Sequence, residues 1–233
     1  MCGRFVSATP LADVAAFFKA TPETVEHTPD FNVTPRRMIY AVREIAGDGE
    51  ARRVLSGLRW GLIPSWAKDA GIGDRLINAR SETVREKPAY RAAFAKRRCI
   101  IPADGFYEWQ VRPEGKQPMY IHRRDGRQLA FAGLWEHWTD PSDGTVVETC
   151  AVLTTNANAT MAPIHERMPV ILERDACDVW CDPASNNDVV MLESLLRPAD
   201  DAVLATYAVG RAVNSPRNNG SSLLEPAVPE TLF

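Results

Sequence analysis

Cys2, in the opening run Met1-Cys2-Gly3-Arg4-Phe5, carries the most distinctive chemistry in this chain. An initiator Met before a residue as small as Cys is expected to be trimmed, which would leave Cys2 as the first residue. Its α-amine and thiol then sit on adjacent carbons as a 1,2-aminothiol. Such a pair reacts with an aldehyde in two stages: the amine gives a Schiff base, and the sulfur closes a five-membered thiazolidine. An α-amine with a pKa near 8 is about one tenth neutral at pH 7, against less than about a thousandth of a lysine.

Three further segments hold groups that could serve that chemistry. In Leu76-Ile77-Asn78-Ala79-Arg80-Ser81-Glu82, Asn78 can donate to a sugar or carbonyl oxygen and Arg80 can hold a phosphate. In Asp104-Gly105-Phe106-Tyr107-Glu108-Trp109, strand alternation puts Glu108 on the face of Phe106, with Tyr107 and Trp109 opposite. A carboxylate flanked by three aromatics is partly desolvated, which suits it to proton transfer. In Ile164-His165-Glu166-Arg167-Met168-Pro169, after the polar run Thr154-Thr155-Asn156, His165 lies in a loop beside an expected core strand. Loops on a rigid scaffold are where catalytic groups tend to sit. Trp60-Gly61-Leu62-Ile63-Pro64-Ser65-Trp66 adds two tryptophans around a glycine-proline turn, a suitable surface for stacking on bases if exposed.

The elements that must position these groups are read from periodicity and punctuation. Thr9-Pro10 reads as an N-cap and first helical position for a helix over 10–20, with Leu11, Val14, Ala15 and Phe18 on its apolar stripe. Residues 38–45 and 52–60 are β-rich around Gly47-Asp48-Gly49, which predicts a hairpin. A short helix is expected over 87–96. Strands follow over 99–101, 106–110, 119–122, 129–135, 146–155 and 170–172, with turns at Asp125-Gly126 and Asp143-Gly144. Helices over 174–181 and 188–196 and a strand over 202–209 complete the pattern. Strands dominate the middle without βαβ alternation. This predicts one α+β domain over residues 1–233, with a mainly antiparallel, barrel-like β core flanked by short helices.

At 233 residues, 45% apolar and 24% charged, the chain has an ordinary globular composition and can bury a full core. No apolar run is long enough for a membrane span and the first residues lack the order of a signal peptide, so a cytoplasmic location is expected. Five cysteines without short paired spacings fit reduced thiols; Cys177 and Cys181 should share a buried helix face, and no metal site is expected. The net charge of −3 conceals a basic segment from Arg75 to Arg98 and an acidic one from Glu173 to Asp201. A basic face on a mildly acidic protein can bind phosphates locally.

Taken together, the segments resemble the SOS-response-associated peptidase (SRAP) family, whose members shield abasic sites in DNA by covalent attachment. The elements that carry the resemblance are Met1-Cys2-Gly3-Arg4-Phe5, Asn32-Val33-Thr34-Pro35, Trp60-Gly61-Leu62-Ile63-Pro64, Asn78-Ala79-Arg80-Ser81-Glu82, Gly105-Phe106-Tyr107-Glu108-Trp109, His165-Glu166-Arg167-Met168-Pro169, and Val213-Asn214-Ser215 with Asn218. The resemblance implies that the Cys2 amine attacks the ring-opened abasic sugar and its thiol closes the ring. It further implies that Glu108 shuttles protons, Asn78 positions Cys2 or the sugar, and His165 assists ring opening and reversal. Arg4, Arg80 and Arg167 would contact phosphates, as would the loop around Trp66; Thr154 is a further candidate DNA contact. Some relatives carry a second tryptophan where this chain has Ala67. The implied partner is DNA containing abasic sites, in single-stranded form, bound by a monomer that needs no cofactor and no metal. Slow ring closure would leave an imine able to undergo β-elimination, an abasic-site lyase activity.

Three other readings stay open on the residues alone. An N-terminal-nucleophile amidohydrolase, such as a glutamine amidotransferase, would use Cys2 on an amide carbon with its own amine as base. A peptidase could remove its own Met1. A non-catalytic DNA-binding module would need neither.

Overall fold

The computed structural model describes residues 2–23, 28–45 and 51–227. The expected turn at Gly47-Asp48-Gly49 lies outside them. In chain order the strands are β1 (Phe5–Ser7), β2 (Thr21–Pro22), β3 (Asp30–Val33), β4 (Met38–Ile45), β5 (Arg52–Trp60), β6 (Asn78–Arg80), β7 (Arg98–Ala103), β8 (Gly105–Arg112), β9 (Gly115–Arg123), β10 (Leu129–Thr139), β11 (Val146–Asn156), β12 (Arg167–Pro169) and β13 (Leu204–Ala208). The α-helices are α1 (Leu11–Phe18), α2 (Arg91–Lys96), α3 (Arg174–Cys181) and α4 (Val189–Ser194).

Five strands close on themselves. β11, β10, β7, β4 and β5 are neighbours in that order, and β5 returns to β11 through the parallel pairs Thr149↔Arg59 and Cys150↔Trp60. Closure removes the exposed edges that an open sheet would carry. β7 is buried along its whole length, and its run Cys99-Ile100-Ile101 is correspondingly apolar on both faces. Those faces feed different cores. Ile100, Val42, Leu55, Ala132 and Ala151 pack with α1, α2 and α3. Ile101, Leu58, Trp60, Phe131 and Val152 instead meet Phe5, Phe106 and Ile121 of a second, antiparallel sheet, ordered β13-β9-β8-β1-β3. The α+β architecture with a barrel-like core is therefore as the sequence predicts.

Several elements differ from expectation for local reasons. Thr9 does not cap α1: its hydroxyl and amide bond the Asp104 carboxylate, and Pro10 takes the cap position. The helix expected over 87–96 shortens to α2, and residues 81–90 run as turns. Residues 78–80, outside every strand predicted above, form β6, paired in parallel with β11 through Val152↔Asn78 and Thr154↔Arg80. The strand expected over 170–172 begins earlier, as β12 on β11. After Pro169 the chain crosses to β10, where Ala132 donates to the Val170 carbonyl and Leu172 donates to that of Ala130. The basic run is not one face either. Arg80, Arg85, Lys87, Arg91 and Lys96 are exposed, but Arg98 is buried and donates to the carbonyls of Phe94, Ala95, Trp180 and Asp182. Cys177 and Cys181 share the buried side of α3, as their spacing predicts.

Candidate active site

Cys2 enters just before β1 and is fully buried, in the same apolar cluster as Trp60, Phe106, Ile164 and Met168. Its place is fixed by strand pairing: Phe5 faces Phe106, and the Tyr107 amide donates 2.9 Å to the Arg4 carbonyl. The glycine opening β8 permits this packing, since a Cβ on Gly105 would lie 2.4 Å from the Tyr120 ring.

Asn78 reaches Cys2 directly. Its side-chain amide donates 2.8 Å to the Cys2 carbonyl. Asn78 is itself held from behind, because the Tyr90 hydroxyl donates 3.0 Å to its backbone carbonyl. The neighbouring Ile77 carbonyl accepts from the Trp60 indole at 2.9 Å and from the Val152 amide at 3.0 Å. Tyr90 is buried, which pushes its phenol up to about 12 and keeps it a hydrogen-bond donor.

Glu108 is buried on β8 and its charge acts on Cys2. Burial first, and the Glu108 carboxylate second, push the Cys2 thiol far above the ordinary cysteine range. Sulfur at this position is held as the thiol. The aromatic setting expected around Glu108 is present, with Phe106 on the Cys2 side and Tyr107 in a separate cluster with Tyr120.

His165 lies at the end of the loop joining β11 to β12, next to Ile164 of the Cys2 cluster. The loop is tied down from several sides. Gln110 donates 3.0 Å to the Pro163 carbonyl, Asn158 donates 3.0 Å to that of Ala199, and the Ala159 amide donates 2.7 Å to Asp201. The ring Nδ1 of His165 accepts from the Arg167 amide at 2.9 Å.

The candidate DNA contacts divide. Arg80 and Trp66 are exposed, and Trp66 borders an open groove with Lys68, Asp69, Ile72 and Arg75. Trp60 is core. Ala67 is buried, its carbonyl accepting from the Trp138 indole at 2.7 Å. Thr154 is fully buried, with its hydroxyl on the Ala79 carbonyl, so its side chain does not face a strand lying over this surface. Arg4 is half-buried. It donates to Asn32 Oδ1 at 2.6 Å and to the Val213 carbonyl at 2.8 Å, over the Trp109 ring. Asn32 in turn donates to the Ser215 and Asn218 carbonyls, and Trp109 donates to Asn214. The C-terminal motif thus braces the N-terminal strand. Arg167 is buried and engaged by Glu82, Asn156 and the Thr154 carbonyl.

The structure therefore brings Cys2, Asn78 and Glu108 together and sets the loop of His165 against the same cluster. It turns Thr154 and Arg167 inward. Sequence reasoning did not single out Tyr90 or Glu82, although Glu82 closes a quoted motif and carried a signal. Among the described residues no three His, Cys, Asp or Glu side chains are grouped to hold a metal ion. Nor is any helix there long and apolar enough to cross a membrane.

The family model described as SOS response associated peptidase (SRAP) matches residues 1–216. The abasic site processing protein YoqW of Bacillus subtilis is 44% identical over 97% of this chain and 99% of its own length. The abasic site processing protein HMCES of Gallus gallus is 33% identical over 86% of this chain and 67% of its own length. A crystal structure of a protein from Bacteroides thetaiotaomicron superposes with a TM-score of 0.86 at 25% identity, covering 97% of this chain and all of that one.

Proposed function

The chain belongs to the SOS response associated peptidase family, and from that premise we propose that it processes abasic sites in DNA by covalent capture through Cys2. The observation that carries this reading is the contact of Asn78 with the Cys2 backbone, under the field of Glu108.

The proposed sequence begins with removal of Met1, which frees the α-amine. Glu108 accepts a proton from the ammonium form of that amine. The neutral nitrogen adds to C1′ of the ring-opened sugar, and loss of one water gives the imine. His165 assists opening of the sugar ring. The sulfur then adds to the imine carbon, its proton passing to the nitrogen, and the thiazolidine closes.

Electrostatics sets the order of these steps. Burial, reinforced by the Glu108 carboxylate, holds the Cys2 sulfur as a thiol, which is the poorer nucleophile, so the amine acts first. The thiol then adds to the imine carbon as its proton moves to the imine nitrogen, so ring closure needs no free thiolate. Exposed Arg80 and Trp66 are the proposed contacts to phosphate and base of a single strand. Elimination from the imine would make the protein an abasic-site lyase instead of a shield.

The test is incubation with single-stranded DNA bearing one abasic site, followed by denaturing electrophoresis and intact-mass measurement. A slow-migrating adduct of protein plus DNA less one water is expected. It should vanish in Cys2→Ser, which cannot form the sulfur ring, and in protein carrying residues before Cys2. A protein blocked at Cys2 that still forms the adduct sinks the mechanism.

A further inference from the structure

Arg167 and Glu82 do more than fill space at the end of β11, with which β6 and β12 both pair. The Arg167 guanidinium donates through both terminal nitrogens to the two Glu82 oxygens, one of them at 2.9 Å, to Asn156 Oδ1 at 2.8 Å and to the Thr154 carbonyl at 2.7 Å. Its side chain is 10% exposed, against 45% for Glu82. The pair with Arg167 holds the Glu82 carboxyl below its ordinary range.

These bonds tie three segments at one point. Glu82 follows β6, the strand that presents Asn78 to Cys2. Thr154 and Asn156 end β11. Arg167 begins β12, two residues after His165. The base of the intervening loop is pinched by the Asn156↔Arg167 pair and by the Ala157 amide donating 3.0 Å to the Glu166 carbonyl. From that base the Arg167 amide donates to His165 Nδ1 at 2.9 Å. A nitrogen that accepts a hydrogen bond carries no proton, so the neutral ring in this arrangement holds its proton on Nε2.

We propose that Arg167, clasped by Glu82, is a positioning residue that fixes His165 as its Nε2–H tautomer and couples its loop to the strand holding Asn78 and Cys2. A phosphate contact is the competing role for Arg167, and it would require the guanidinium to leave Glu82. The clasp deepens the aminothiol reading: with a proton on Nε2, His165 is a donor suited to an oxygen leaving C1′ as the sugar ring opens.

The experiment is ¹⁵N NMR of histidine-labelled protein at a pH where the ring is neutral, with His165→Gln identifying the signal. The wild-type ring should show a protonated Nε2 and an unprotonated Nδ1. In Glu82→Gln and Arg167→Lys the tautomers should mix, and cross-linking to an abasic strand should slow roughly ten- to hundredfold, the usual consequence of misplacing a reacting group. Affinity of Glu82→Gln for an undamaged strand should not fall. A wild-type ring protonated on Nδ1 overturns the proposal without any variant. So do variants that keep the wild-type tautomer while the salt dependence of binding flattens in Arg167→Lys, which is the signature of a phosphate contact. If the tautomer responds as expected but wild-type protein forms no adduct, the clasp stands and the aminothiol reading falls.

Discussion

Two regions of this molecule are each organised around a buried arginine, and they differ in what the arginine holds. On the helical side, Arg98 donates only to backbone carbonyls, those of Phe94, Ala95, Trp180 and Asp182, and lies 5.7 Å from the Trp180 ring. It satisfies the orphaned carbonyls at the ends of α2 and α3, which otherwise would be buried without partners. Beside Cys2, Arg167 donates to two side chains and one carbonyl, and one of those side chains is a half-exposed carboxylate. Backbone carbonyls cannot be titrated or exchanged; a carboxylate can. The same residue type therefore joins backbone to backbone in one place and links segments through a titratable side chain in the other.

The largest expected effect separates chemistry from architecture. Glu108→Gln should slow cross-linking by about 10²–10⁴-fold, the range for loss of a general acid or base, with thermal stability and DNA binding nearly unchanged. Equal losses in binding and rate would make Glu108 a structural residue. Next, Arg98→Met should lower unfolding free energy by about 3–5 kcal/mol, because several buried carbonyls lose a charged donor together. Denaturant titration measures this, and the folded fraction should cross-link at the wild-type rate.

Acid should tell the two joints apart. The folded Glu82 carboxyl titrates below its unfolded value, so its contribution to stability is present above the ordinary carboxylate range. It is lost as pH falls through that depressed value. Hydrogen exchange corrected for intrinsic rates should then show the Ala157 amide losing protection in acid, while amides of α3 near Arg98 keep theirs. Simultaneous loss at both joints would erase the distinction. The smallest effect concerns Arg80. Replacing it with Ala should flatten the dependence of log affinity on log salt by about 0.7 on single strands, without changing sequence preference. An unchanged slope would remove Arg80 from the DNA surface.

Much of this was legible in the sequence because it depends on local rules. Apolar runs and alternation gave β4, β5 and the long strands β8 to β11, and the i, i+4 cysteines gave the buried side of α3. The candidate nucleophile, acid–base group and amide donor were legible as residue types in specific motifs. β6 was not legible: its three residues are strand only because β11 offers a parallel edge, and no local pattern announces that edge. Likewise Trp60 and Trp66 lie in one motif, yet one is fully buried and the other 58% exposed.

What the sequence determined by itself is the chemistry on offer: a thiol at Cys2 that becomes an aminothiol once Met1 is removed, a carboxylate among aromatics at Glu108, an amide at Asn78 and an imidazole at His165. Covalent structure fixes those properties. Which arginines face solvent and which are consumed inside was decided only by tertiary structure. A guanidinium goes wherever enough acceptors converge to replace its water, and for Arg4, Arg98 and Arg167 those acceptors come from segments far apart in the chain. Convergence of that kind is a property of the fold.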